Sequence, residues 1–113
     1  MDRNLKKYLF DIANSISEIE SYLETRPKMF EIFCSDTMFR RAVERNIEII
    51  GEAMNRALKI KPDIPITASR NIVNTRNYVI HAYDSLSEEI LWGIVINDLP
   101  VLKEEIKTLL ATQ

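Results

Sequence analysis

Residues 5–23 read LKKYLFDIANSISEIESYL. Leu5, Leu9, Ile12, Ile16, Ile19 and Leu23 follow one another at steps of four and three. That spacing keeps them on one stripe of a helix with about 3.6 residues per turn. Lys6, Lys7, Asp11, Glu18 and Glu20 fall off the stripe and face water. The pattern predicts a helix from about Asp2 to Thr25, ended by Arg26-Pro27 because the residue before a proline avoids the α region. The stripe is read as core rather than as a partner-binding face, since the chain has no other way to build a core.

Working outward, Lys28 to Asp36 is a connector in which Met29, Phe30, Ile32 and Phe33 cluster. A short helical turn packed over the end of a bundle accounts for them; an interaction surface is the other reading. A second helix is expected from Ser35 or Asp36, either a good N-cap, to about Lys59. Its buried face is Phe39, Val43, Ile47, Ile50, Met54 and Leu58, and Gly51 with Ala53 and Ala57 suits the close approach of another helix. Lys61-Pro62-Asp63-Ile64-Pro65 is a linker. A third helix follows from about Ala68 to Ala82, capped by Thr67 or Ser69, with Ile72, Thr75, Val79 and Ala82 inward. Asp84 to Ser87 reads as a turn, in which Ser85 and Glu88 form a capping box and Ser87 competes as cap. The last helix puts Ile90, Leu91, Ile94, Val95, Leu99, Leu102, Ile106 and Leu109 on one side. Pro100 inside it predicts a kink, or a break with restart at Asp98. Four amphipathic segments with short connectors make an all-α, antiparallel four-helix up-and-down bundle, one domain over 1–113.

Composition agrees. Hydrophobic residues are 46% of the chain, with only two glycines and four prolines, which favours long helices over a many-stranded sheet. A formal net charge of −2 excludes a global nucleic-acid footprint, so any nucleic-acid contact is local. Cys34 is the single cysteine, which rules out an intrachain disulfide and points to a reducing compartment. It is read as a small apolar group rather than a nucleophile. Met1-Asp2-Arg3-Asn4 lacks the apolar core of a signal peptide, and no apolar run approaches the ~20 residues of a membrane span. A cytoplasmic chain with no membrane contact is expected.

The chemistry concentrates in the third helix. Beside its inner stripe stand Arg70, Asn71, Asn74, Arg76, Asn77 and His81, an Asn/Arg-rich set rather than the Glu/Lys mix of an ordinary wet face. Asparagine is a poor helix former, so its repeated use suggests that hydrogen bonding is what those positions supply. Arg76-Asn77-Tyr78-Val79-Ile80-His81-Ala82-Tyr83-Asp84 holds the only histidine of the chain. Arg76 and His81 lie on adjacent helix faces, about 500° of rotation apart, and Asn77 stacks with His81 one turn away. The helix C-terminus and Asp84 both favour imidazolium, so titration near neutral pH is expected. A histidine that moves a proton of a 2′-hydroxyl or of a leaving 5′-oxygen, with an arginine fork on the phosphate, is a minimal kit for cutting RNA without metal. A helix-end histidine beside a surface arginine is the other reading, and spacing alone leaves both open. With one histidine, a two-histidine mechanism needs a second copy of the chain. Glu48 and Glu52, one turn apart, are read as a polar helix face or partners of a nearby arginine, because no histidine follows at metal-ligand spacing. No Gly-rich phosphate loop, CxxC pair or HExxH motif is present, so no cofactor or metal is expected.

Arg76 to Tyr83 fits R-x4-H-x-Y, with polar Asn77 after the arginine. By this motif the chain resembles the HEPN superfamily, specifically its HepT-like branch of ribonuclease toxins. Glu48-Ile49-Ile50-Gly51-Glu52-Ala53, Asn71-Ile72-Val73-Asn74 and Asn97-Asp98-Leu99-Pro100-Val101-Leu102 agree as well. The resemblance implies a helical bundle that dimerises, so that two motifs face one composite cleft. It implies metal-independent RNA cleavage with Arg76 and His81 as the catalytic pair. Asn77 and Glu52 are expected to support that pair, and Arg70 and Asn74 to contact the RNA. It also implies a type VII toxin–antitoxin pair, in which a minimal nucleotidyltransferase antitoxin silences the toxin by moving AMP from ATP onto Tyr83. Bulky negative charge two residues from His81 would block an RNA phosphate. Ala82 stands where many relatives carry glycine. The alternative is a non-catalytic helical module that docks to a nucleotidyltransferase.

Overall fold

The first helix begins where a side chain can close it. Asp2 Oδ1 accepts from the backbone N–H of Leu5 at 2.9 Å, an N-cap, and α1 runs Arg3–Glu24. The structure, a computed structural model, describes residues 1–74 and 85–112, with the side chains of 85–87 outside the description. The other helices are α2 (Phe30–Ser35), α3 (Thr37–Ile60), α4 (69–74), α5 (Ser85–Gly93) and α6 (Leu99–Ala111), and a π-helical turn (Ile94–Asp98) joins the last two. The expected all-α bundle is what they form.

Packing sets the directions. Tyr22, late in α1, meets Phe39, early in α3, edge to face at 6.4 Å. At the opposite end, Leu5 and Leu9 share a cavity with Ile60, Ile64 and Leu109. α1 is therefore antiparallel to both α3 and α6, and Lys103 pairs with Glu20 across the α1–α6 seam at 2.9 Å. The expected stripes are the core: Leu9, Ile12, Ile16 and Ile19 meet Phe39, Val43, Ile47, Ile50 and Met54, with Leu91, Leu102 and Ile106 closing the third side. Leu23, Ile90 and Leu109, expected inside, are half-buried at the margins.

The connector is the short helical turn expected. In α2, Phe33 is fully buried, 5.6 Å from Phe39 and 5.1 Å from Trp92, while Met29 stays exposed. Asp36 then does two jobs. Its N–H closes α2 on the Ile32 carbonyl, and its Oδ1 caps α3 through the Phe39 N–H at 3.0 Å. Its Oδ2 accepts from Arg26 Nε at 3.0 Å, and that guanidinium lies over the Phe39 ring. The Phe39 hydrogen bond, aided by Arg26, holds the Asp36 carboxyl below its ordinary value of 3.8. Because the folded-state pKa is the lower one, the charged form stabilises the fold above the ordinary value, and that contribution is lost as pH falls through the folded-state value. Asp36→Asn keeps the cap but not the charge. It is expected to lower Tm at neutral pH and to converge on wild type as pH falls through the folded-state value, followed by circular dichroism; a pH-independent gap would contradict this.

One local expectation is corrected. The third helix is capped by neither Thr67 nor Ser69: the first helical bond runs from Ile72 N–H to the Ala68 carbonyl, which puts Ala68 at the cap position. Thr67 instead gives its N–H and hydroxyl to Glu105 on α6, at 2.9 and 2.8 Å. The linker before it is anchored by Ile64 and Ile66, both buried. Near Pro100 the last helix is interrupted as expected: α5 gives way to the π-helical turn, and α6 restarts at Leu99 with Asp98 at its cap position. The Leu99 N–H reaches back to the Ile94 carbonyl, five residues away, and the wider turn makes room for a proline that lacks an N–H and crowds the carbonyl four residues before it.

Candidate active site

α4 leads out of the linker with its polar side to water. Arg70, Asn71 and Asn74 are exposed, Ile72 is buried and Val73 is half-buried. Arg70 and Asn74, one turn apart, share a face, so the Asn/Arg-rich face expected from the sequence is present over 69–74. Arg76, Asn77, His81 and Tyr83 lie outside the described residues. So do Thr75, Val79 and Ala82 of the inner stripe, Asp84, and the capping side chains Ser85 and Ser87.

Glu52 is described on α3. Its Oε1 accepts from Arg56 Nε at 3.2 Å, and both line a shallow cleft with Asn4, Tyr8, Lys59 and Ile60. Glu48 stands 3.9 Å from Arg45. The two carboxylates thus engage arginines of their own helix, the bland reading of the pair. Among the described residues no three His, Cys, Asp or Glu side chains come together as metal ligands, and no helix there is long and apolar enough to cross a membrane.

One constellation has no counterpart in the sequence reading. Arg40, half-buried early in α3, donates to the Cys34 carbonyl at the end of α2. Its Nε lies 3.8 Å from Glu44 and 3.7 Å from Glu88. The guanidinium thereby joins α2, α3 and α5. Only the Arg40–Glu44 spacing was visible in the sequence; Glu88 arrives from a distant segment. Burial, reinforced by the nearby Glu88 carboxylate, pushes the Cys34 thiol up to about 11, which keeps it protonated and a poor nucleophile. Burial raises the Glu44 carboxyl too, against the pull of Arg40 and Arg41.

A family model described as ribonuclease HepT-like matches residues 12–109. The probable ribonuclease HepT of Thermococcus cleftensis is 39% identical over 113 residues, 96% of this chain and 98% of the relative. A candidate RNase of Methanocaldococcus jannaschii is 34% identical over 109 residues, 93% of this chain and 95% of the relative. A third, from Caldanaerobacter subterraneus, is 30% identical over 82 residues, 72% of this chain and 73% of the relative. No solved structure matches at a significant level. The matched region runs from within α1 to α6 and includes the whole R-x4-H-x-Y stretch: the chain belongs to the ribonuclease HepT-like family.

Proposed function

We propose that the protein is a metal-independent RNA endonuclease, the toxin of a type VII toxin–antitoxin pair in the cytoplasm, working as a homodimer with one composite cleft. The observation that carries this reading is membership of the ribonuclease HepT-like family across residues that contain Arg76 and His81 in R-x4-H spacing. His81 takes the proton of a 2′-hydroxyl; that oxygen bonds to phosphorus as the 5′-oxygen leaves, producing a 2′,3′-cyclic phosphate. The leaving oxygen needs a proton, and a chain with one histidine finds the second group in His81 of the partner subunit. Arg76 stabilises the charge that builds on the phosphate. Asn77 and Glu52 support the pair, and Arg70 and Asn74, exposed on one face of α4, meet the RNA backbone.

The partner on this reading is a minimal nucleotidyltransferase antitoxin that joins the Tyr83 oxygen to the α-phosphate of ATP and releases pyrophosphate. The added phosphate repels RNA from the cleft. Purified protein is expected to cut RNA, and protein carrying AMP on Tyr83 to leave it intact. Equal cleavage by the two forms would remove Tyr83 as the off-switch; cleavage by neither would favour the non-catalytic module that only docks to a nucleotidyltransferase.

A further inference from the structure

The shallow cleft between the first turns of α1 and the last turns of α3 combines an aromatic ring with cations. Tyr8 sits in it, with the Arg56 guanidinium 5.9 Å and the Lys7 ammonium 5.6 Å from the ring centroid. Lys59 is exposed on its rim and has no ion-pair partner among the described residues. Arg41, Arg45, Arg56 and Lys59 are all exposed along α3, a row about 27 Å long at 1.5 Å per residue. Glu44, Glu48 and Glu52, the acids interleaved with them, are engaged by Arg40, Arg45 and Arg56. On a chain of net charge −2 this is a local concentration of positive charge along a line, with a ring at one end. Single-stranded nucleic acid is bound by that combination: cations follow the phosphates, and an aromatic ring stacks on a base whatever its identity.

We infer that the Tyr8 cleft and the cationic edge of α3, built from residues outside the R-x4-H-x-Y motif, form a docking site for single-stranded RNA that holds part of the strand beyond the cut. The site rests on the RNA-cleaving reading for its purpose but not for its test. The probes are a short single-stranded oligoribonucleotide that spans only the cut and a longer strand of the same sequence. Binding of the longer strand is read with a 2′-O-methyl version, which lacks the attacking hydroxyl and stays intact.

Tyr8→Leu and Lys59→Gln are each expected to weaken binding of the long 2′-O-methyl strand, about tenfold for the ring. Lys59→Gln should also lower the salt slope of log Kd by about 0.7, the share of one phosphate contact on a single strand. Both variants should cut the short substrate as wild type does. Because Lys59 is exposed and unpaired among the described residues, its removal leaves the fold intact even if Tyr8→Leu loosens the α1–α3 seam. Wild-type affinity for the long strand in both variants overturns the site. So does an equal loss of cutting on the short substrate, which would put Tyr8 in the catalytic machinery. A polyglutamate that displaces the long strand at equal concentration would identify an acidic protein surface as the occupant, and also overturns it. Absence of cleavage by wild type would count against the nuclease reading alone, since the binding measurement does not depend on it.

Discussion

Replacing His81 by alanine is expected to lower the rate of RNA cleavage by roughly 10²–10⁴-fold, the usual worth of one positioned proton-transfer group, with helix content and Tm unchanged. The loss is large because no second histidine in the chain can take over. The same arithmetic makes the dimer testable. If two motifs act on one phosphate, one taking a proton and the other giving one, a mixed dimer is impaired as a unit. An equal mixture of wild-type and His81→Ala subunits, allowed to re-pair at random, should then keep about a quarter of the activity, the share of wild-type homodimers. Retention of half would mean that each subunit works alone. Single-turnover cleavage of a labelled RNA, read across mixing ratios, distinguishes the two curves.

The second large effect is on stability. Phe33→Ala is expected to cost about 3–5 kcal/mol, as removal of a fully buried phenylalanine does when its surroundings collapse only in part. In a chain of this size that is a fall in Tm of roughly 10–20 °C. The reason is placement. Phe33 belongs to a six-residue helix inside what reads as a connector, yet its ring is edge to face with Phe39 and tilted against Trp92. It therefore ties α2 to α3 and α5 at once. The contrasting change is Met29→Ala, on a side chain half exposed at the start of α2, which should move Tm by little. Thermal unfolding of the two variants separates a core anchor from a loop; equal, small shifts for both would contradict the packing described.

Much of the fold was legible because its signals are local. The α1 and α3 stripes lie at helical spacing, and Asp2 and Asp36 act as caps within three residues of the groups they bind. What was illegible depends on contacts far apart in sequence. Thr67 looked like a cap, but its hydroxyl is taken by Glu105 from α6, and Ala68 stands at the cap position of α4. Arg40 showed only its neighbour Glu44, while Glu88 completes the cluster from α5. The π-helical turn before Pro100 was half visible: the proline announced a disturbance, but a widened turn and a sharp kink satisfy the same sequence rule.

At the candidate site the balance is reversed. Arg76, Asn77, His81 and Tyr83 were named by a motif and belong to the region that the family model matches. The described residues add the exposed Arg70–Asn74 face of α4 and the Arg56-engaged Glu52 of α3. A residue spacing can nominate a histidine and an arginine, but two such groups also occur together by chance.

Cleavage of end-labelled single-stranded RNA by purified wild-type and His81→Ala protein, in excess EDTA, with the product ends identified, is the most direct test. A histidine mechanism without metal predicts 2′,3′-cyclic phosphate and 5′-hydroxyl ends from wild type, and intact RNA from the variant over the same time. Undiminished cleavage by His81→Ala, or wild-type cleavage that stops on chelation, would contradict it.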